Sequence, residues 1–253
     1  MRAGCTVSGV SRPRRKRPAE HPLLGAPGRD VAVTVVMVGL TVVVLVSVAD
    51  HGTLAWIQHR DDAWLRLMES VRSSPATAVA KGLNVLGLVP VMLPLRILLA
   101  GYLALRRRWW HFAAFVGAVV LSEALIGPLK AVYDRPRPLG SLVATSGASF
   151  PSGHSVAASV TVVALVIAFV PPGPRRAAWG TAAVAFSLLM ALSRAYLGAH
   201  WLSDAVAGVL LGTSSALVAA LVAGVLQRRR TLRTQVEPAH DTAPDLTPPA
   251  DRP

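Results

Sequence analysis

The sequence predicts an all-α integral membrane protein, a six-helix bundle with a short interfacial helix after the first span. Three observations support this fold class. Hydrophobic residues make up 53% of the 253 residues and charged residues only 15%, whereas a soluble protein usually carries about 25% charged residues. The mean hydropathy is positive, at +0.49. The apolar residues form long blocks that Pro- or Arg-rich segments separate, so the chain has too little polar surface to cover itself in water.

The predicted spans are uncharged or nearly uncharged stretches, since about 20 apolar residues cross the hydrocarbon core of a bilayer. They cover 31–49, 76–105, 109–132, 153–170, 177–192 and 200–226. Segment 51–75 contains acidic residues and tryptophans, and its apolar residues recur at helical spacing, which predicts the interfacial helix. Residues 1–30 and 228–253 are predicted to be disordered cytoplasmic tails on a six-span domain at 31–227, because they lack an apolar period.

The distribution of positive charge predicts the orientation. Most of the 26 Lys and Arg residues lie in the two tails and in the loops at 106–108 and 173–176, and such charge marks the cytoplasmic side. Both termini are therefore expected in the cytoplasm of a multi-pass protein of the cell inner (plasma) membrane. The loops expected outside are 50–75, 134–152 and 193–200. The net charge of +13 is explained by topology and by affinity for membrane lipids, so nucleic acid is not expected as a partner.

Three strings of polar residues lie at the predicted outer ends of spans three to six, where ionisable groups are costly and usually functional. They are Lys130 with Asp134, Arg135 and Arg137; Pro151–Ser152–Gly153–His154; and Ser193–Arg194 with His200 and Asp204. Lys130, Arg137 and Arg194 have too few acids nearby to neutralise them, and such cations bind phosphate oxygens. Ser152 and Gly153 stand where a helix begins, and the unpaired amides there favour an anion. The strings together predict a phosphate pocket.

The histidines of these strings fit nucleophilic catalysis. His200 and Asp204 are expected on one face of a helix, where the carboxylate would fix the imidazole tautomer and leave the other nitrogen able to attack. His154, from another span, is positioned to protonate a leaving oxygen. Each part alone has a plainer interpretation: a surface pair, a helix cap or an interfacial anchor. A metal site from these three residues is disfavoured by the surrounding cations, so neither a metal nor a cofactor is expected.

Together the strings resemble the type 2 phosphatidic acid phosphatase superfamily, whose membrane members are six-span lipid phosphatases. The family pattern is K-x6-RP, PSGH and SR-x5-H-x3-D, and all its spacings occur between Lys130 and Asp204. The resemblance implies that His200 forms a phosphohistidine, that Asp204 orients it and that His154 protonates the leaving group, without a metal. It also implies a set of groups that hold the phosphoryl oxygens: Lys130, Arg137, Ser152, the Gly153 amide and Arg194.

Two residues outside this pattern carry further hypotheses. Glu123 lies about two helical turns before Lys130 on the same face. It is predicted to be a buried partner of a cation, with packing against a Ser or Thr as the alternative. Arg135 is predicted to reach the second phosphate of a diphosphate, with simple pairing to Asp134 as the alternative.

The expected function is hydrolysis of a phosphate from a lipid (di)phosphate at the outer membrane face, with undecaprenyl diphosphate as the first substrate. A glycerolipid phosphatase for phosphatidic acid or phosphatidylglycerol phosphate stays open, because recognition of lipid tails is apolar and spread over several helices. A phosphotransferase would use the same residues. A non-hydrolytic lipid-phosphate transporter would need polar groups deeper in the bilayer, where only Arg96 and Glu123 qualify. Small residues from Gly208 to Gly212 permit close helix packing and do not by themselves require a dimer.

Overall fold

Helices are the only regular secondary structure in residues 20–236, the part of the chain that the computed structural model describes. They are α1 Pro27–Ala49, α2 His51–Ser70, α3 Ser74–Leu86, α4 Val89–Leu105, α5 Trp109–Tyr133, α6 Gly153–Phe169, α7 Pro174–Tyr196 and α8 Leu202–Val236. The all-α class is confirmed. The predicted domain limits at 30 and 227 both fall inside helices, and the outer parts of the predicted tails lie outside the described residues.

Four of the described helices, α1, α5, α7 and α8, are long and apolar enough to cross a membrane by length and composition. The pair α3 and α4 passes the same test when the two are taken together, which makes five. Helix α6 is apolar but has only 17 residues. The predicted count of six spans is therefore not confirmed, although a multi-pass membrane protein is.

The predicted second span, 76–105, is not one helix but two. Helix α3 ends at Leu86 and α4 begins at Val89, and their axes differ by 52°. Pro90 stands in the first turn of α4, where its missing N–H costs no intrahelical hydrogen bond, so it suits the start of a new helix. Gly87 lies at the break, and a Cβ there would lie 2.9 Å from Cγ of His154. The break thus leaves room for a histidine of the polar strings.

Helix α2 replaces the predicted short interfacial helix with one of 20 residues. Asp50 caps it, because its Oδ2 accepts a hydrogen bond from the Thr53 amide at 2.8 Å. The helix packs against α7 and α8 and buries Asp61 and Met68. Its place at the membrane interface stays a prediction.

Helix α6 is the centre of the bundle and packs against α5, α7 and α8. The contact with α8 is close because Gly208 and Gly212 bring the α8 backbone against α6, near Ser155 and Ser159. A buried apolar cluster joins α4, α5, α6 and α8. It contains Leu103, Phe115, Ala118, Val160, Ala164, Ala168 and Ala216. This packing fixes the start of α6 beside the start of α8, where two of the polar strings lie.

Candidate active site

His200 lies in the turn between α7 and α8, not on a helix as the sequence predicted. Helix α7 ends at Tyr196, and Gly198 adopts a left-handed conformation with φ of 64°. Helix α8 begins at Leu202. The carboxylate of Asp204 accepts a hydrogen bond from the Trp201 amide at 3.0 Å, which holds the turn against the helix. His200 and Asp204 are therefore brought together by a turn rather than by helical periodicity.

The two ring nitrogens of His200 have different surroundings. Nε2 accepts a hydrogen bond from Nη1 of Arg137 at 3.1 Å. Because a guanidinium only donates, this contact places the proton of a neutral ring on Nδ1. Nδ1 lies 3.7 Å from Oδ2 of Asp204 and 3.4 Å from the Ser149 hydroxyl, which itself donates to Asp204. The lone pair of His200 thus lies on Nε2, facing a cation.

His200 is neutral over the usual pH range. Burial lowers its pKa to about 4, and the positive charges of Arg137 and Arg194 act in the same direction. The negative charge of Asp204 opposes them without reversing the shift. An unprotonated imidazole is the form that has a nucleophilic lone pair.

Asp204 is fully buried and bound on both oxygens. Oδ1 accepts a hydrogen bond from Nη1 of Arg135 at 2.7 Å. Oδ2 accepts from the Trp201 amide and from the Ser149 hydroxyl. These contacts fix the carboxylate beside Nδ1 of His200, so its orientation does not depend on a bound ligand.

Of the predicted phosphate-binding cations, Arg137 contacts Nε2 of His200, and Lys130 and Arg194 lie at the same end of the bundle. Lys130, at the end of α5, donates to the Ala148 carbonyl at 2.6 Å, and Arg137 donates to the same oxygen at 3.2 Å. Arg194, near the end of α7, is 2% exposed. One of its terminal nitrogens donates to the Asn84 side chain, and its Nε is buried without a partner in the described part of the chain. Three cations from three segments therefore converge on one end of the bundle.

The start of α6 completes the site with His154. The Asn84 carbonyl lies 3.2 Å from Nε2 of His154, so Asn84 contacts both His154 and Arg194. Ser152 differs from the prediction, because it is fully buried and its amide donates to the Asp204 carbonyl at 3.0 Å. That amide is not available to an anion. Gly153 is the first residue of α6, where no helical carbonyl accepts its N–H.

Three residues that contact the site residues were not predicted from the sequence. Asn84 was hidden inside the predicted second span, although an uncharged polar residue at that depth was a signal. Ser149 stands two residues before Pro151 and had no motif to mark it. Asp61 was assigned to an interfacial helix, whereas its carboxylate is buried and binds Arg135 at 2.8 Å.

The two residues outside the motif pattern are also placed by the structure. Glu123 does bind a cation, Arg96, at 2.8 Å, but its side chain is 54% exposed rather than buried. The contact with Arg96 places it next to α4, and about half of its side chain stays exposed, which the sequence pattern does not reveal. Arg135 is paired with Asp61 and Asp204 rather than with Asp134. Both of its terminal nitrogens are bound within the protein, which favours a supporting role over contact with a second phosphate.

Comparison with known proteins identifies the family. Residues 111–228 match the family model of the PAP2 superfamily. A decaprenylphosphoryl-5-phosphoribose phosphatase of Mycobacterium tuberculosis is 37% identical over 139 residues, which are 52% of this chain and 72% of that protein. The chain belongs to the PAP2 superfamily. The family indicated by the three polar strings is confirmed, and the chain is a phosphatase.

Two further matches, one in sequence and one in structure, extend the comparison. Phosphatidylglycerophosphatase B of Bacillus subtilis is 28% identical over 162 residues, which are 62% of this chain and 79% of that protein. The crystal structure of a transmembrane PAP2 type phosphatidylglycerolphosphate phosphatase from Bacillus subtilis aligns with a TM-score of 0.64 at 23% identity. That alignment covers 78% of this chain and 96% of the other, and it shows a shared fold. Asn84 and Asp61 lie before the segment that matches the family model.

Proposed function

We propose that this PAP2 phosphatase removes a phosphate from a lipid phosphate or diphosphate through a phosphohistidine on His200. The observation that carries the proposal is the geometry of that ring. Its Nε2 lone pair faces Arg137, while Nδ1 faces the buried carboxylate of Asp204. A phosphorus atom approached by Nε2 would carry its oxygens next to the guanidinium.

The first step forms one bond and breaks one. Nε2 of His200 attacks phosphorus, the bond from phosphorus to the lipid oxygen breaks, and His154 gives its proton to that oxygen. The ring gains positive charge as the new bond forms, and the Asp204 carboxylate stabilises that charge. Lys130, Arg137 and Arg194 bind the phosphoryl oxygens, since this chemistry depends mainly on positioning and charge. The Gly153 amide supplies a further donor, whereas the Ser152 amide does not.

The second step reverses the roles. Water attacks the phosphorus of the phosphohistidine, His154 takes a proton from it, and the bond to Nε2 breaks. Inorganic phosphate leaves and the neutral ring of His200 is restored. The charge on the phosphoryl group is met by three side-chain cations, so the proposal includes no metal ion.

The orientation in the membrane is part of the proposal. Helix α6 is short, about 26 Å at 1.5 Å per residue, but it is surrounded by other helices rather than by lipid. Counting it as a span gives six and places both ends of the described chain on the Arg-rich, cytoplasmic side. The site at the start of α6 then opens at the outer face of the plasma membrane, where lipid head groups lie.

The substrate is a lipid, and two kinds are supported. The Mycobacterium relative is named for a polyprenyl lipid, which fits our first expectation, undecaprenyl diphosphate. The Bacillus relative is named for a glycerolipid, phosphatidylglycerophosphate. Because Arg135 is bound to Asp61 and Asp204, the structure offers a second phosphate no additional cation there. That observation supports a monoester such as phosphatidylglycerol phosphate, whereas the match to the Mycobacterium relative supports a polyprenyl lipid.

The transporter alternative receives no such support. The two ionisable residues that it would need, Arg96 and Glu123, bind each other at 2.8 Å. Arg96 also donates to the Thr161 hydroxyl at 2.9 Å. Because these two charges are paired with each other, they would bind the phosphate of a transported lipid only weakly.

The test of the proposed function is phosphate release by the purified protein in detergent with EDTA present. Undecaprenyl diphosphate, phosphatidic acid and phosphatidylglycerol phosphate are offered in parallel. We expect release from at least one lipid at a rate that EDTA does not change, and the ranking of the rates names the substrate class. Transfer of the phosphate to a second lipid instead of water would identify a phosphotransferase. Loss of activity in EDTA with recovery on adding a divalent ion would contradict the metal-free mechanism.

The pH profile is expected to reflect the lowered pKa of His200. Because burial disfavours the imidazolium, the ring is neutral above about pH 4. The acid limb of kcat/KM that belongs to His200 is therefore expected near pH 4, not near the usual histidine value of about 6.5. Profiles with two substrates whose phosphates ionise at different pH separate this limb from substrate ionisation. A limb common to both substrates near pH 6.5 would contradict the prediction.

A further inference from the structure

A buried chain of charged contacts runs from helix α2 to His200. Asp61 accepts a hydrogen bond from Nη2 of Arg135 at 2.8 Å, and Nη1 of the same guanidinium donates to Asp204 at 2.7 Å. Asp204 in turn faces Nδ1 of His200. The side chains of Asp61, Arg135 and Asp204 are 3%, 5% and 0% exposed, so little water screens their charges.

Asp61 also holds the beginning of α8. Its Oδ1 accepts a hydrogen bond from the Ser203 amide at 2.9 Å, and its Oδ2 accepts from the Ser203 hydroxyl at 2.5 Å. A carboxylate in this place satisfies an amide that the first turn of a helix leaves without an intrahelical partner. The same turn carries Asp204. One carboxylate on α2 therefore fixes both the arginine that binds Asp204 and the backbone from which Asp204 extends.

We propose that Asp61 is a positioning residue for the phosphatase reaction, acting through Arg135 and Asp204 on His200. This inference rests on the proposed function. Asp61, Arg135 and Asp204 together carry a single net negative charge. Because Asp61 occupies one side of the Arg135 fork, Arg135 binds only Oδ1 of Asp204, and Oδ2 stays toward His200. The remaining negative charge stabilises the ring as Nε2 bonds to phosphorus and the imidazole becomes positive.

The cluster is not explained by stability alone. Burying charges has a large desolvation cost, and apolar packing of similar volume usually stabilises a buried contact equally well or better. Helix α2 already packs against the end of α7 and the turn that follows it through Met68, a contact that needs no charge. A net negative cluster next to a reacting imidazole has a chemical use, and that use predicts an effect on turnover.

The test is Asp61→Asn, which keeps the shape of the side chain and removes its charge. We expect kcat to fall by about 10-fold to 100-fold with KM within about threefold, because the change acts on the transition state rather than on lipid binding. Glu69→Gln is the matched control: it removes the same charge from the same helix, at a residue whose partner is Arg72. The control is expected to keep the wild-type kcat. Asp61→Glu restores the carboxylate and is expected to recover part of the loss.

A double-mutant cycle separates positioning from a general loss of structure. If Asp61 acts through Asp204, then Asp61→Asn in an Asp204→Asn background is expected to reduce kcat by less than about twofold further. Independent, multiplicative losses would overturn the inference. So would a lower melting temperature of Asp61→Asn with the wild-type kcat per folded enzyme. If Asp61→Asn does not fold, Asp61→Ser, which also removes the charge and keeps a polar group, takes its place: a reduced kcat at the wild-type KM supports the inference and a wild-type kcat overturns it.

The two proposals fail in different ways. A wild-type enzyme that releases no phosphate from any lipid contradicts the proposed function, and the Asp61 variants then have nothing to change. A wild-type enzyme that releases phosphate, together with an unimpaired Asp61→Asn variant, contradicts only the role of Asp61.

Discussion

Replacing His200 with Asn is expected to abolish phosphate release from every lipid substrate, with kcat lower by about 1,000-fold or more. Asn has nearly the size of the ring's inner half, and Arg137 keeps its hydrogen bond to the Ala199 carbonyl at 2.7 Å, so the fold and the cation cluster should remain. It has no imidazole nitrogen to form a bond with phosphorus. Phosphate release by purified wild type and variant, normalised to the monodisperse fraction in detergent, measures the difference.

A trapping experiment sharpens this prediction. The enzyme is mixed with lipid whose phosphate is labelled with ³²P, and the reaction is quenched in alkali, where phosphohistidine survives. The wild-type chain should carry the label, and the His200→Asn chain should not. His154→Asn is the informative companion, because it removes the proposed acid and leaves the nucleophile. Its label is expected to persist longer than in wild type, since hydrolysis of the intermediate also uses His154. Equal labelling of wild type and His200→Asn would exclude His200 as the nucleophile.

The sequence was sufficient to predict which ends of the helices meet. Lys130, Arg137, His154 and Arg194 follow or precede apolar stretches, so topology alone places them on one face of the membrane. Their type and spacing then indicate a phosphate and a nucleophile. This inference needs only span counting and local chemistry, and the family match agrees with it.

The rest of the site depended on tertiary packing that periodicity does not encode. Asn84 and Asp61 reach the site from α3 and α2, whose approach is set by the break at Gly87 and by the docking of α2 on α8. The sequence shows that both residues are polar, but it does not show which residues they contact in the folded protein. Glu123 illustrates the reverse case, because its spacing suggested burial, whereas its side chain is 54% exposed beside Arg96.

His200 was wrongly predicted to lie on a helix, because a turn can bring residues four apart in sequence together just as a helix does. His200 and Asp204 are four residues apart, which is the spacing of one helical face, yet Gly198 ends α7 and the helix resumes only at Leu202. The predicted proximity is nevertheless found, since Nδ1 of His200 lies 3.7 Å from Oδ2 of Asp204. The cause of the proximity differs from the predicted one: a turn brings the two residues together, and the hydrogen bond from the Trp201 amide to Asp204 holds that turn.

Gly212→Ala is expected to have the largest effect on stability of any single methyl addition in the core. The added Cβ would lie 2.6 Å from the Val156 carbonyl oxygen and 2.9 Å from the Val160 amide, and it would also collide with the Ser159 hydroxyl. Two of these neighbours are helix backbone, which cannot rotate away. Overpacking of this kind costs about 3 kcal/mol. A clear fall in melting temperature in detergent is the expected result.

The same change should also reduce turnover per folded enzyme, because α6 carries His154 and α8 begins beside His200. Moving the two helices apart changes the distance between the proposed acid and the proposed nucleophile, and small errors in such distances are costly. Gly180→Ala on α7 is the control, since a Cβ there meets no atom within 4 Å. It is expected to keep wild-type activity and to gain slightly in stability. Adding Ser159→Ala to Gly212→Ala should recover only part of the loss, because the Val156 carbonyl remains. Full recovery would mean that the hydroxyl, rather than the backbone contact, limits how closely α6 and α8 approach.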